Sequence, residues 1–431
     1  MVEPHAKNLR ILRLLKQETN TAMGCTEPAA VALACAHAAS LGSSEIDRIS
    51  VKVSPNILKN GMGVGIPGTG MIGLGIAAAL GSLIALPEKG LEVLSNVSPE
   101  LLEQAKQMLK QVDIKLADTT EKIWIEACIS SPTGSSTAII YRRHNWLMHL
   151  EQDGKVLFHK DLNIETNTDL VTCKDLKVGD YYTFCQSVDF AELSTINLGN
   201  ELNRKIAELG LEQSSGIAVG RTIMEQIRSG ILGDDLHHYA MALTAAATDA
   251  RMSGCSLPVI SNSGSGNQGL SITLPIIAVA EKRHCDDDKL FRALALGHLV
   301  SVHIKNKIGV LSCLCGCLSA AAGAACGIVY LLDGDLRQIE YAIKNMIGNT
   351  AGMVCDGAKE GCSLKVATNT SAAVQSALLA LGNLCVSGND GIVTDDVDET
   401  IDNLAELVGT GMQNADKTIL NIMINKHKKE V

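Results

Sequence analysis

Hydrophobic residues recur at helical spacing from about Asn8 to Gln17, and a second helix is expected to open near Thr26. Thr26 is suited to cap that helix and Pro28 is tolerated in its first turn, which leaves Cys25 just before a helix N-terminus. The stretch IDRISVKVS, residues 46–54, alternates apolar and polar positions as a strand does, and 98–111 returns to a helical pattern. Between Ile123 and Lys160 the segments IWIEACIS, STAIIYRRH, WLMHLEQ and KVLFHK read as short strands, with turn signals at Pro132–Gly134 and Asp153–Gly154. They predict a small, mainly antiparallel sheet. From about Asp189 the strand signals thin out, and Ala-, Leu- and Gly-rich helical segments run on to the Lys-rich end.

The pattern predicts an α+β fold in two units. Residues 1–185 form a mixed α/β unit that carries Cys25 and a Gly-rich loop at 56–73, and residues 186–431 form a mostly helical unit, with the boundary inside 165–190. No internal repeat or low-complexity tract changes this division. The stretches Val64–Pro87 and Ile308–Asp333 are nearly free of charge and long enough to suggest membrane spans. Gly, Ala, Ser and Cys dominate them, and no aromatic belt or flanking basic cluster accompanies them, so tightly packed interior helices are the expectation.

At 431 residues and 46% hydrophobic, the chain can bury a large core. A net charge of -10 with 3% aromatic residues provides neither a basic stripe for phosphates nor stacking platforms for bases, which argues against nucleic acid. The first residues lack an apolar run of signal-peptide length, so residence in the cytoplasm is expected. The fourteen cysteines then need an explanation other than disulfides. No membrane partner is expected, and a homo-oligomer is left open.

Six cysteines crowd GVLSCLCGCLSAAAGAACG and GMVCDGAKEGCSLK: Cys313, Cys315, Cys317, Cys326, Cys355 and Cys362. Soft thiolates hold iron–sulfur clusters or zinc, and Lys359 and Lys365 favour the thiolate form of their neighbours. The spacing matches neither the paired zinc motif nor the compact ferredoxin run, so buried packing cysteines stand as the alternative. Cys25 in MGCTEP faces the positive end of a helix dipole, which lowers a thiol pKa and makes a base or nucleophile; a small packing cysteine is the rival reading. In ISNSGSGNQG, residues 260–269, three glycines expose backbone amides among Ser, Asn and Gln donors, a pattern suited to a carboxylate or phosphate or, more simply, to a turn. Asn56, Lys59 and Asn60 lead into the second Gly-rich stretch, which lines the same pocket or merely joins two elements. His237 and His238 read as structural or surface groups, since adjacent helical positions diverge by about 100 degrees, and His303 is kept only as a remote candidate for the pocket.

Taken in order, MGCTEPAA, PNILKNGMGVGIPGTGMIG, SNSGSGNQG, the CGC segment and GMVCDGAKEGC resemble the L-cysteine desulfidase family, related to the α chain of iron–sulfur L-serine dehydratases. The resemblance implies a [4Fe-4S] cluster held by Cys315, Cys355 and Cys362, with Cys317 as the competing neighbour. It implies a carbon–sulfur lyase that splits L-cysteine into sulfide, ammonia and pyruvate. One iron without a protein ligand would act as a Lewis acid. Cys25 thiolate would remove the α-proton, and Ser261, Asn262, Ser263, Ser265 and Asn267, with Asn56, Lys59 and Asn60, would hold the substrate. The rival readings are an iron–sulfur L-serine dehydratase, a pyridoxal phosphate enzyme without an evident Schiff-base lysine, and a non-catalytic redox sensor.

Overall fold

The computed structural model describes residues 4–42, 45–160, 171–309 and 311–427; the start of the expected boundary region, up to residue 170, lies outside them. Helix α1 (Pro4–Glu18) is followed by the short strand β1 (Thr21–Ala22) and by α2 (Thr26–Ala39). After β2 (Arg48–Val53) come α3 (Pro55–Gly61), α4 (Leu74–Ile84) and α5 (Pro99–Met108), and then β3 (Val112–Leu116). The chain continues as a meander: β4 (Trp124–Ser131), β5 (Gly134–Tyr141), β6 (Leu147–Gln152) and β7 (Lys155–His159). The sheet order is β3-β2-β4-β5-β6-β7. Four of its pairings are antiparallel, whereas β2 and β3 run parallel, with Val51 opposite Ile114. A parallel pair needs a long crossover, and α3, α4 and α5 supply it. The strictly alternating burial of β2 puts Ile49, Val51 and Val53 into a core shared with the apolar faces of α2 and α4.

The helical part comprises α6 (Val178–Ser187), α7 (Ser194–Glu212), α8 (Val219–Arg228) and α9 (Leu236–Met252), then the short strand β8 (Val259–Ile260). It continues through α10 (Gly266–Arg283), α11 (Asp287–Ile308), α12 (Gly316–Leu331), α13 (Leu336–Thr350), α14 (Cys362–Leu381), α15 (Val397–Glu406) and α16 (Gln413–His427). Helix α12 is the centre, packed against α10, α11, α13 and α14. Its small residues are a requirement of that position: a Cβ on Gly323 would stand 2.2 Å from the carbonyl oxygen of Gly297 on α11. This explains the charge-free stretches, and no described helix is long and apolar enough to cross a membrane.

Two buried clusters organise the molecule. One is the sheet-and-helix core around Val51, Ile125 and Leu80. The other is helical, and it takes in Ile11, Leu14 and Leu15 of α1 and Tyr181 and Phe184 of α6. The antiparallel pairing of β1 with β8, Thr21 opposite Ile260 and Ala22 opposite Val259, fastens the segment before α2 to the segment before α10. This small ladder sets Cys25 beside residues 261–267.

Candidate functional site

Cys25 ends as the N-cap of α2, with no side-chain capping bond, and is 7% exposed. Thr26 does not cap the helix; its hydroxyl instead donates 2.9 Å to the carbonyl of Gly264, a second tie between the two segments. The expectation that the helix dipole would lower the Cys25 pKa fails in the resting protein. Burial pushes the thiol up to about 11, and the guanidinium of Arg251 pulls against it without prevailing.

Arg251 lies near the end of α9, 4% exposed. Its Nη1 donates 2.9 Å to Asn267 Oδ1 and its Nη2 donates to the Gly24 carbonyl, while Nε has no partner. The loop before α10 turns sharply through Ser263 (φ 48) and Gly264 (φ 76), and Ser265 caps α10 by accepting from the amide of Gln268. The N-terminus of an eighteen-residue helix thus opens beside Cys25. Such an end carries free amides and partial positive charge, which suits a carboxylate.

The cysteines arrive from two loops that pair with each other. Cys315 N donates 2.9 Å to the Met353 carbonyl, Cys355 N donates 2.6 Å to the Cys313 carbonyl, and Leu314 and Val354 form a bridge between them. Forty residues of sequence separation vanish at this crossing. Cys317 Sγ donates to Cys315 Sγ at 3.1 Å and lies 3.6 Å from Met353 Sδ. The bond from Cys317 raises the Cys315 thiol, and the bond from Cys315 together with burial raises Cys355 well above the usual thiol range. Cys362 is the first residue of α14 and packs in a small cluster with Cys25, Val64 and Met252. Gly357 between them has φ 91, and a Cβ there would stand 2.2 Å from the Lys59 carbonyl, so the loop hugs α3 only because this residue is glycine.

These segments meet at one cavity of about 950 Å³, a volume that includes space open to solvent. Of the residues expected from the sequence, Cys25, Asn60, Ser263, Ser265, Asn267, Cys315, Cys355 and Cys362 line it, as does Cys317. The others stand behind the wall. Lys59, 1% exposed, donates 3.1 Å to the Cys355 carbonyl and 2.6 Å to Asp416, and Asn56 donates to the same carboxylate. Ser261 is bonded to the Asn20 carbonyl, and the Asn262 amide contacts His298.

The sequence reading missed Arg251, Lys305, Glu27 and His144, which also line the cavity. A charge inside an apolar helix was an available signal for Arg251 at the end of α9 and Lys305 in α11. Lys305 is buried, and that burial brings its ammonium down to about 8. Glu27 sits inside a motif already singled out, and its carboxylate accepts 2.9 Å from Asn60 Nδ2. Nothing local marks His144, which comes from the turn between β5 and β6.

Among the described residues no three His, Cys, Asp or Glu side chains converge as around a single metal ion. A cluster differs, because its cysteines bind separate irons and surround a volume. Cys315, Cys317, Cys355 and Cys362 face one cavity beside Lys305 and Lys365, and soft sulfur donors with cations nearby are the chemistry of an iron–sulfur site. All fourteen cysteines are free of disulfides.

Comparison with known proteins gives a match of residues 88–421 to the family described as "Serine dehydratase alpha chain". A protein of Oleidesulfovibrio alaskensis named "UPF0597 protein" is 45% identical over 97% of this chain and 98% of its own length. Proteins of the same name from Alkaliphilus oremlandii and Porphyromonas gingivalis are 47% and 44% identical, each over 97% of this chain and 98% of their own lengths.

Proposed function

We propose, from the premise that the chain belongs to the serine dehydratase alpha chain family, that it is a lyase removing sulfide from L-cysteine to leave pyruvate and ammonia. The supporting observation is the meeting, in one cavity, of Cys25, the amide-rich start of α10 and the cysteines of the two paired loops. In this reading Cys315, Cys355 and Cys362 hold a [4Fe-4S] cluster. When bound, the cluster supplies Lewis acidity from the iron that has no protein thiolate.

The chain's own groups do the rest. Ser263, Ser265, Asn267 and the first amides of α10 receive the substrate carboxylate. Arg251 holds Cys25 in place through Gly24 and through its contact with the thiol, and biases the sulfur toward the thiolate. Cys25 thiolate takes the α-proton, the freed pair forms the Cα–Cβ double bond, and the sulfur leaves with the Cβ–S pair. Aminoacrylate then tautomerises to an imine, which water hydrolyses.

A second reading, dehydration of L-serine in the same cavity, draws on the family match itself. The deciding experiment is anaerobic purification, assay of iron and acid-labile sulfide per chain, and then parallel measurement of sulfide released from L-cysteine and pyruvate formed from L-serine. Sulfide release that exceeds serine turnover supports the desulfidase. Pyruvate from serine alone replaces it with the dehydratase, and protein that takes up no iron after reconstitution ends both.

A further inference from the structure

The sheet contributes one titratable group to this cavity, His144. It sits in the turn between β5 and β6, and its Nε2 is sealed from solvent with no hydrogen-bond partner. A buried polar atom without a partner is uncommon in a folded protein, and this one belongs to a residue that borders the cavity. The charged group that faces the ring is the Glu27 carboxylate of α2, itself fixed by Asn60. Other titratable groups border the cavity: Cys25, Arg251, Lys305, Lys365 and the loop cysteines. Arg142 and Arg143, on the histidine's own turn, are exposed to solvent.

Burial holds the imidazole below its usual range, so it is neutral at pH 7, and Glu27 pulls the other way. A neutral imidazole beside a carboxylate is set up to accept one proton and have the resulting cation stabilised. An aliphatic thiol, with a pKa of ~8.5, lies within its reach. A hydroxyl, whose pKa is nearer the ~15.7 of water, does not.

We infer that His144 is a catalytic residue that takes the thiol proton of the incoming amino acid and so selects a thiol over a hydroxyl, an inference that rests on the lyase reading above. On binding, the substrate S–H bond breaks and an Nε2–H bond forms, leaving a thiolate and an imidazolium that faces Glu27. When the Cβ–S bond breaks, the sulfur departs with the bonding pair and recovers that proton, leaving as hydrosulfide and restoring neutral imidazole. Cys25 handles the α-proton separately.

The test compares wild-type enzyme with His144→Gln, both loaded with iron to the same content, in sulfide release from L-cysteine between pH 7 and pH 9. At pH 7 the variant loses about 10²-fold in kcat/KM, the scale of one proton-transfer group. By pH 9 that deficit shrinks more than tenfold, because free cysteine with a thiol pKa of ~8.5 ionises without help. Added imidazole restores turnover to His144→Ala at pH 7, which covers the case in which the glutamine variant misfolds. A deficit equal at both pH values and unmoved by imidazole overturns the role of His144 while leaving the lyase intact. Wild-type enzyme that releases no sulfide overturns both.

Discussion

The Lys59 ammonium, on a residue 1% exposed, is held 2.6 Å from the Asp416 carboxylate. This ion pair pins α16 onto α3, and the same ammonium supports the Cys355 carbonyl from behind. Removing the carboxylate strands a buried cation beneath the cysteine loop. Because Asp416 keeps about a quarter of its side chain in solvent, the cost of Asp416→Ala is set below that of a fully buried pair, at about 2 kcal/mol. Urea unfolding of the two proteins measures it. Unchanged stability would mean that α16 is not fastened by this contact.

Cys25 and Cys355 border the same cavity but are expected to part company on substitution. Cys25→Ala retains full iron and loses about 10³-fold in kcat, whereas Cys355→Ala loses iron and turnover together. Iron and acid-labile sulfide analysis, paired with sulfide release, separates the two. Full iron in Cys355→Ala would remove that residue from the ligand set.

Arg251 bonds to Asn267 and the Gly24 carbonyl and lies against the Cys25 thiol. Arg251→Gln keeps a polar side chain while removing the charge and the fork of donors, and Lys at this position lacks the fork as well. Both variants should retain iron and lose at least about 10²-fold in kcat/KM. Iron-replete variants with near wild-type kinetics would relegate Arg251 to packing.

His298, 1% exposed, is held down to about 3 by burial and contacts the Asn262 amide. Its folded pKa lies below the unfolded value of ~6.5, so the unfolded chain binds the proton first. The contribution is fully present above pH 6.5 and is lost as pH falls toward 3. For one proton the slope is about 1.4 kcal/mol per pH unit. The stability difference between wild type and His298→Gln should therefore narrow progressively below pH 6.5 in denaturant titrations. A difference independent of pH would contradict the assignment.

Much of the architecture was legible because burial leaves a period in the chain. Arg48–Val53 alternates because one face of β2 meets α2 and α4. Ser98 announces α5 by accepting from the Leu101 amide. The parallel β2–β3 pair was not legible, since alternation records which face is buried and says nothing of a neighbour's direction. Thr26 shows the same limit at one residue: its type suits a cap, and its actual partner is Gly264, more than two hundred residues away.

The candidate site divides similarly. Glycine- and cysteine-rich motifs stand out locally, so MGCTEP, SNSGSGNQG, CGC and CDGAKEGC could be singled out one by one. Their meeting depends on the β1–β8 ladder and on the crossing of the loops at Leu314 and Val354. Ser261 and Asn262 belong to SNSGSGNQG, and Asn56 and Lys59 to the PNILKNG stretch, yet none of the four lines the cavity, while Arg251, Lys305 and His144 line it from segments without a motif.

The sequence by itself determined the helical run after residue 189, the strands within 46–54 and 123–160, the α+β class and the residue types available for chemistry, because backbone preference and amphipathic period are local properties. Tertiary structure alone decided which side chains share the cavity and how they ionise. Desolvation by surrounding atoms is a property of the packed molecule: at Cys25 it outweighs Arg251, and at His144 it leaves a neutral ring facing Glu27.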